Sequence, residues 1–231
     1  MAGMHTESNA SVPLSEPALL VFDMDGTLVD SVPDIAAAVN RMLAARGHAP
    51  LTEPAIAEMV GDGLVPLIQR VFAAVGGTPD PQAGRDYLSD YESHVCVKTR
   101  LFDGMAAALT TLRSAGWRLA VCTNKPERAA RLLLEALGVS DLFVAVGGGD
   151  SFGFHKPDPR HLAATLAKAG GTASRAVMIG DHSNDIHAAL GCGVKALFAG
   201  WGYGRPGMET GAAAVVGQPA DLPVLAAECL A

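Results

Sequence analysis

The sequence predicts an α/β fold, a parallel sheet covered by helices on both faces and interrupted near its start by a block of helices. Three observations carry this. From residue 100 onward, short apolar runs alternate with segments of helical period, the repeated βα pattern of a parallel sheet. Residues 50–97 have helical period with no strand among them, broken at Gly61-Asp62-Gly63 and at Gly76-Gly77-Thr78-Pro79. Residues 18–22 form a short, wholly apolar run that stops abruptly at polar residues, as a fully buried strand does.

The elements follow in order. Residues 1–17 mix Ser, Glu, His and Pro, lack a basic segment followed by an apolar one, and are expected to be a flexible extension. After the strand at 18–22, Asp30, Ser31 and Pro33 start a helix with Ile35, Val39, Met42 and Leu43 at helical spacing. Gly47-His48 closes it. Three more helices are expected at 53–60, 64–75 and 80–97. Strands are then expected at 118–122, 143–146, 176–179, 194–198 and 213–216, and helices at 104–115, 127–137, 159–169, 183–190 and 221–230. The division into parts is 18–31 and 98–231 for the sheet core and 32–97 for the helical module.

A chain of 231 residues suffices for one large domain, or for a core carrying an inserted module. With 49% hydrophobic residues it can bury a sizeable core. Its 17 basic residues against 24 acidic ones, net −7, argue against a general grip on nucleic acid or anionic membrane. No apolar run approaches the ~18 residues that span a bilayer. Cys96, Cys122, Cys192 and Cys229 are widely separated and form no Cys-x-x-Cys pair, which suits reduced thiols in a cytoplasmic protein.

Function is legible in where the polar residues fall. Asp23 and Asp25 follow the first strand, Thr123-Asn124 another, Asp181 and Asp185 a third, and Lys156 lies in the loop after the strand near Val144. In a parallel sheet these loops share the edge at the strands' carboxyl ends, where ligands bind. A carboxylate there can attack phosphorus and form an acyl phosphate, and a second can act as general acid and then base. Asp23 suits the first role and Asp25 the second. Gly26 permits a tight turn and a close approach to an anion. Asp23, Asp25 and Asp181 make an all-oxygen set that calls for a hard cation, Mg²⁺, and no Cys/His grouping suggests zinc. Lys156 adds fixed positive charge, and Thr123 and Asn124 add neutral donors for a phosphoryl group.

Each signal has a plainer reading. Asp23 and Asp25 can be turn residues, Thr123-Asn124 a helix cap, Lys156 a surface lysine, Asp181 an N-cap and Asp185 a first-turn surface residue. Gly147-Gly148-Gly149-Asp150 reads as a phosphate cradle or as an ordinary strand-to-loop turn. Gly200-Trp201-Gly202-Tyr203-Gly204 reads as a stacking loop for a base or, preferably, as a turn packing its aromatics on the domain.

Four stretches taken together decide among these. Phe22-Asp23-Met24-Asp25-Gly26-Thr27-Leu28-Val29-Asp30-Ser31, Val121-Cys122-Thr123-Asn124-Lys125-Pro126, Lys156-Pro157-Asp158-Pro159 and Ile179-Gly180-Asp181-His182-Ser183-Asn184-Asp185 resemble, in order, the four motifs of the haloacid dehalogenase-like hydrolase superfamily. Within it the chain looks most like the phosphoglycolate phosphatase group. The resemblance implies a Rossmann-like core with an inserted helical cap. It implies Asp23 as nucleophile, Asp25 as acid/base, and Mg²⁺ held by Asp23, the Asp25 carbonyl and Asp181. Thr123, Asn124 and Lys156 would bind the phosphoryl group, with Asp185 supporting the metal or Lys156.

The expected function is a Mg²⁺-dependent hydrolase of a small phosphate ester, phosphoglycolate first, in a monomer or homodimer. For the substrate carboxylate the candidates are the Gly61-Asp62-Gly63 amides and Arg41, Arg46, His48 and Arg70. The rivals are a sugar-phosphate mutase and a non-catalytic phosphate sensor. A 2-haloacid dehalogenase is disfavoured, having no use for Asp25 or Mg²⁺.

Overall fold

The computed structural model describes residues 17–231, so the expectation for the N-terminal extension lies almost wholly outside the described residues. The chain runs through β1 (Leu19–Phe22), β2 (Val29–Asp30), α1 (Val32–Ala44), α2 (Glu53–Ala57), α3 (Leu64–Ala74), α4 (Ala83–Ser93) and β3 (Arg100–Leu101). It continues through α5 (Met105–Ser114), β4 (Arg118–Cys122), α6 (Glu127–Ala136), β5 (Phe143–Gly147), α7 (Pro159–Lys168) and β6 (Ala176–Gly180). It ends with α8 (Ser183–Gly191), β7 (Lys195–Ala199), β8 (Ala214–Val216) and α9 (Leu222–Leu230).

The expected parallel sheet is present, in the order β5-β4-β1-β6-β7-β8. β1 is apolar at every position because it pairs on both edges and is covered on both faces. Leu20 sits opposite Leu119 and Val177, and Phe22 opposite Val121 and Ile179. Alternate residues face opposite sides. Leu20, Phe22, Leu119, Val121 and Ile179 join the core under α5, α6 and α9. Leu19, Val21, Ala120 and Met178 join Leu162, Leu166 and Ile186 of α7 and α8 on the other face. The strand order reverses beside β1, which opens a crevice above its carboxyl end.

The helices α1–α4 are inserted between β2 and β3, two-residue strands that pair antiparallel as Val29↔Leu101 and Asp30↔Arg100. This ribbon is too short to register as a period in the sequence. The expected helix 80–97 is shorter at both ends, Ala83–Ser93. Its end has a visible cause. Asp34, 3% exposed in the first turn of α1, accepts the N–H groups of Val97 (2.8 Å), Lys98 (2.9 Å) and Thr99 (2.8 Å) and the Thr99 hydroxyl (2.8 Å). Burial raises the Asp34 carboxyl, but these donors outweigh it and hold the group below its ordinary value. Ribbon and carboxylate thus tie the two crossings together.

No helix among the described residues is long and apolar enough to cross a membrane. All four cysteines are free.

Candidate active site

β1 carries the chain into the site. The Asp23 N–H still bonds Ile179 O (2.9 Å), and then Met24 O gathers the N–H groups of Thr27, Leu28 and Val29 in one tight turn. Gly26 stands in that turn at φ 84°, where a Cβ would lie 2.2 Å from Asp181 Oδ2. Glycine is therefore required twice, by conformation and by space. Its own N–H is spent on Val29 O (3.0 Å) and is not offered to an anion.

Lys156 is 2% exposed, with its ammonium 2.8 Å from Asp23 Oδ1 and 2.6 Å from Asp185 Oδ1. Burial would lower the Lys156 amine; Asp185 and Asp23 more than offset that and hold it protonated, well above the ordinary range. At Asp185 burial pulls upward and the ammonium downward, and the short contact supports an ion pair with the proton on the amine. Asp23 Oδ1 is close to the ammonium but out of line for a hydrogen bond, leaving a buried carboxylate oxygen without a donor.

The Lys156 backbone is fixed as firmly as its side chain. Its N–H donates to Asn124 Oδ1 (2.9 Å) and His161 Nδ1 (3.2 Å), and its carbonyl accepts from Asn124 Nδ2 (2.9 Å). His161 accepts at Nδ1, so its proton sits on Nε2, which donates to Gly148 O (3.1 Å). Burial, reinforced by Lys156, pushes His161 down to about 4 and keeps it neutral.

Asp181, 4% exposed, accepts from Thr27 Oγ1 (2.9 Å) and the Tyr203 N–H (2.8 Å). Burial, then the charges of Asp23 and Asp185, push its carboxyl up to about 8. Asp23, Asp181 and Asp185 offer oxygens within 4.8 Å of one another. Such a cluster cannot be fully ionised without a cation among it.

Asp25 is not part of that cluster. Its carboxylate turns toward the helical insertion, accepting from Ser31 Oγ (2.6 Å) and, on both oxygens, from Lys125 Nζ (2.8 Å each). Lys125 is buried, with its ammonium 4.5 Å from the Tyr91 ring centre, a cation–π contact.

The plainer readings are largely reassigned. Thr123 and Asn124 do not cap α6. Its first N–H groups lack a cap from Pro126, and Asp150 takes the Glu127 N–H (2.7 Å) instead. Gly148 and Gly149 are pressed against Glu127 and Asn124, where a Cβ would fall 2.4 Å from backbone atoms of each. The tri-glycine is thus a close-packed turn. α8 is capped by His182, whose Nδ1 accepts the Asn184 N–H (3.1 Å), while Asp185 Oδ2 accepts the His182 N–H (3.1 Å). Asp181 is thereby free of capping, and Asp185 is fully buried. Asn124's side-chain amide is committed to Lys156 and to Gly61 O (3.0 Å).

The insertion meets this edge through the Gly61-Asp62-Gly63 turn. Asn184 Nδ2 donates to Asp62 Oδ1 (2.6 Å), and Asp62 also pairs with Arg70. Two cavities lie on either side, each reaching Asp23 and Asp25. The larger is walled by Ile35, Leu64, Leu67, Tyr87 and Tyr91. Arg41, Arg46, His48 and Arg70 line neither. Arg41 pairs with Asp90, Arg46 with Asp80 and Asp86, and His48 packs edge-on to Phe72. The cations that do line the cavities are Lys125 in the larger and Arg205 in the smaller, where the neutral His182 also stands. Lys125, Ser31, Thr27, His161 and Tyr203 are the contributors that sequence reasoning left out. Thr27, Ser31 and Lys125 carried a signal, since they stand inside the motif stretches; His161 and Tyr203 carried none.

A Rossmann-like sheet with acids and a buried lysine converging at its carboxyl edge defines an α/β enzyme. The chain belongs to the haloacid dehalogenase-like hydrolases, whose family model matches residues 17–193. It is 41% identical over 198 residues to a phosphoglycolate phosphatase of Agrobacterium fabrum, covering 84% of each chain. It is 40% identical over 215 residues to one of Rhodospirillum rubrum, covering 89% of each. The crystal structure of a predicted phosphoglycolate phosphatase from Haemophilus somnus superimposes with a TM-score of 0.84 at 27% identity, over 90% of this chain and 97% of that one. The relationship makes the chain a hydrolytic enzyme, as its four motifs implied.

Proposed function

We propose that this chain is a Mg²⁺-dependent phosphomonoester hydrolase that works through an aspartyl-phosphate at Asp23, with phosphoglycolate as its leading substrate. The observation that carries the reading is Asp23 Oδ1, a buried carboxylate oxygen without a hydrogen-bond donor, facing Lys156 at the floor of two cavities. The named relatives give the substrate class.

An Asp23 oxygen attacks phosphorus as the bond from phosphorus to the ester oxygen breaks. Asp25 gives its proton to the departing oxygen. It then takes a proton from water, whose oxygen attacks the aspartyl-phosphate, releasing phosphate and restoring Asp23. Ser31 and Lys125 orient Asp25. Lys156 offsets the negative charge on the phosphoryl oxygens, and the Thr123 hydroxyl, which accepts the Lys125 N–H (3.2 Å), is a further donor to them. Asn124 and His161 serve by fixing the Lys156 main chain.

A divalent cation fits the donor set: all-oxygen, buried, with one orphaned oxygen and an Asp181 raised by burial and by its acidic neighbours. Asp23, Asp181 and the Asp25 carbonyl would hold Mg²⁺, with Asp185 behind them through Lys156. Bound there, it lowers the repulsion between carboxylate and phosphate dianion. Residues 32–97 act as a cap that closes over the substrate and excludes water. The free thiols and the net acidic charge suit a cytoplasmic enzyme acting on a small molecule.

The test is phosphate release from a panel of esters, with and without Mg²⁺. Phosphoglycolate should rank at or near the top, chelation should abolish turnover, and Asp23→Asn should lower kcat by roughly 10³-fold or more while the chain stays folded. An Asp23→Asn protein that hydrolysed esters normally would sink the mechanism. A requirement for a sugar bisphosphate activator would mark a mutase.

A further inference from the structure

The Gly200-Trp201-Gly202-Tyr203-Gly204 loop is not used by the chemistry above, yet it is packed onto it. A Cβ on Gly202 would fall 2.2 Å from Gly26 O and 2.4 Å from Asp181 Cβ, and one on Gly204 would fall 2.1 Å from Asp181 O. The two glycines let the loop lie flat on the nucleophile turn and on Asp181. Trp201 Nε1 donates to Thr27 O (3.0 Å), beside the hydroxyl that Thr27 gives to Asp181.

Tyr203 sits between these contacts and reaches two places. Its backbone N–H donates to Asp181 Oδ2 (2.8 Å). Its hydroxyl accepts the N–H groups of Ser31 (2.8 Å) and Val32 (3.2 Å) and donates to Asp30 Oδ1 (2.7 Å). One donated and two accepted bonds exhaust a phenol. The first N–H groups of a helix need acceptors from outside it. α1 has no side-chain cap of its own, because the hydroxyl of its N-cap residue, Ser31, is turned to Asp25 Oδ1 (2.6 Å). Tyr203, from 172 residues away, accepts the N–H groups of Ser31 itself and of Val32, and so fixes the backbone from which that hydroxyl reaches Asp25.

We propose that Tyr203 is a positioning residue of the reaction. Its hydroxyl fixes Ser31 and, through Ser31, the Asp25 carboxylate, while its N–H steadies Asp181. The assignment rests on the phosphatase reading and predicts a leaving-group signature. Tyr203→Phe keeps the ring and the N–H but loses the hydroxyl, so Asp25 is misplaced as a proton donor while Asp181 is not. In kcat/KM, which reports the steps up to the aspartyl-phosphate and not its hydrolysis, phosphoglycolate, whose alkoxide needs a proton, should lose about tenfold. p-Nitrophenyl phosphate, whose phenolate leaves without one, should lose less than about threefold in kcat/KM. Half-saturation by Mg²⁺ should change by less than about twofold, because the bond to Asp181 remains.

Ser31→Ala, which removes the link to Asp25, should reproduce the same selectivity and carries the test if Tyr203→Phe does not fold. Equal losses on both esters, or none on either, overturn the assignment of Tyr203 while the phosphatase reading stands on the wild-type rates. A wild-type chain that hydrolyses neither ester overturns both.

Discussion

The carboxyl edge of the sheet and the helical insertion both hold many charges, and they hold them in opposite ways. At the edge, Lys156, Asp23, Asp181 and Asp185 are all under 8% exposed and converge within one cluster. In the insertion, Arg41, Arg46 and Arg70 pair with aspartates across its outer surface, with side chains up to 45% exposed. Buried charges must answer to one another, since removing one strands the rest, whereas exposed pairs fall back on water. The edge therefore concentrates its electrostatics where the proposed chemistry takes place. The insertion uses its ion pairs to hold helices together and leaves its inward wall largely apolar.

Substitutions can break that contrast, starting where the effect should be largest. Lys156→Met strands Asp185 in the interior and should cost about 3–5 kcal/mol by urea unfolding, besides removing turnover. A loss below about 1 kcal/mol would mean the edge is no more committed than the surface. Next is Asp34→Asn, which weakens the clasp on residues 97–99 and should cost about 2 kcal/mol. Its sign with pH is fixed. The folded carboxyl lies below its unfolded value of 3.8, so its stabilisation is complete above that value and drains away as pH falls through the folded one. The gap between wild type and variant should narrow in acid over that window.

A smaller effect is expected where the two regions meet. Asn184→Ala removes the contact with Asp62 and should raise KM for phosphoglycolate about three- to tenfold with the melting temperature little changed. An unchanged KM would detach the Gly61-Asp62-Gly63 turn from substrate binding. Least of all, Arg41→Ala should shift stability by under about 1 kcal/mol, read by the same urea titration.

How much of this was legible in the chain follows from the range of each interaction. The sheet was readable because Leu19–Phe22 and its neighbours are apolar throughout, a pattern local to each strand. The four site loops were readable because a parallel sheet brings all its strand ends to one edge. Partners chosen across the fold were not. Nothing near Lys125 announces that its amine will straddle Asp25, 100 residues earlier, and nothing near His161 says that it accepts from the Lys156 main chain. Arg41, Arg46, His48 and Arg70 looked suitable for a carboxylate by sequence proximity, but the helices turn them to partners elsewhere. The end of α4 was misplaced for the same reason, since Asp34 governs it from another helix.

The two-residue ribbon has a consequence for descent as well as for motion. Because Asp30 and Arg100 face each other across it, the insertion leaves and re-enters the core at a single doorway. Everything enclosed there begins and ends in the same place, and the cost of closing such a loop grows only slowly with its length. A core built this way can exchange the whole enclosed module for a larger, smaller or differently folded one without moving Asp23. On the proposed reading, its chemistry and its choice of substrate are separately heritable.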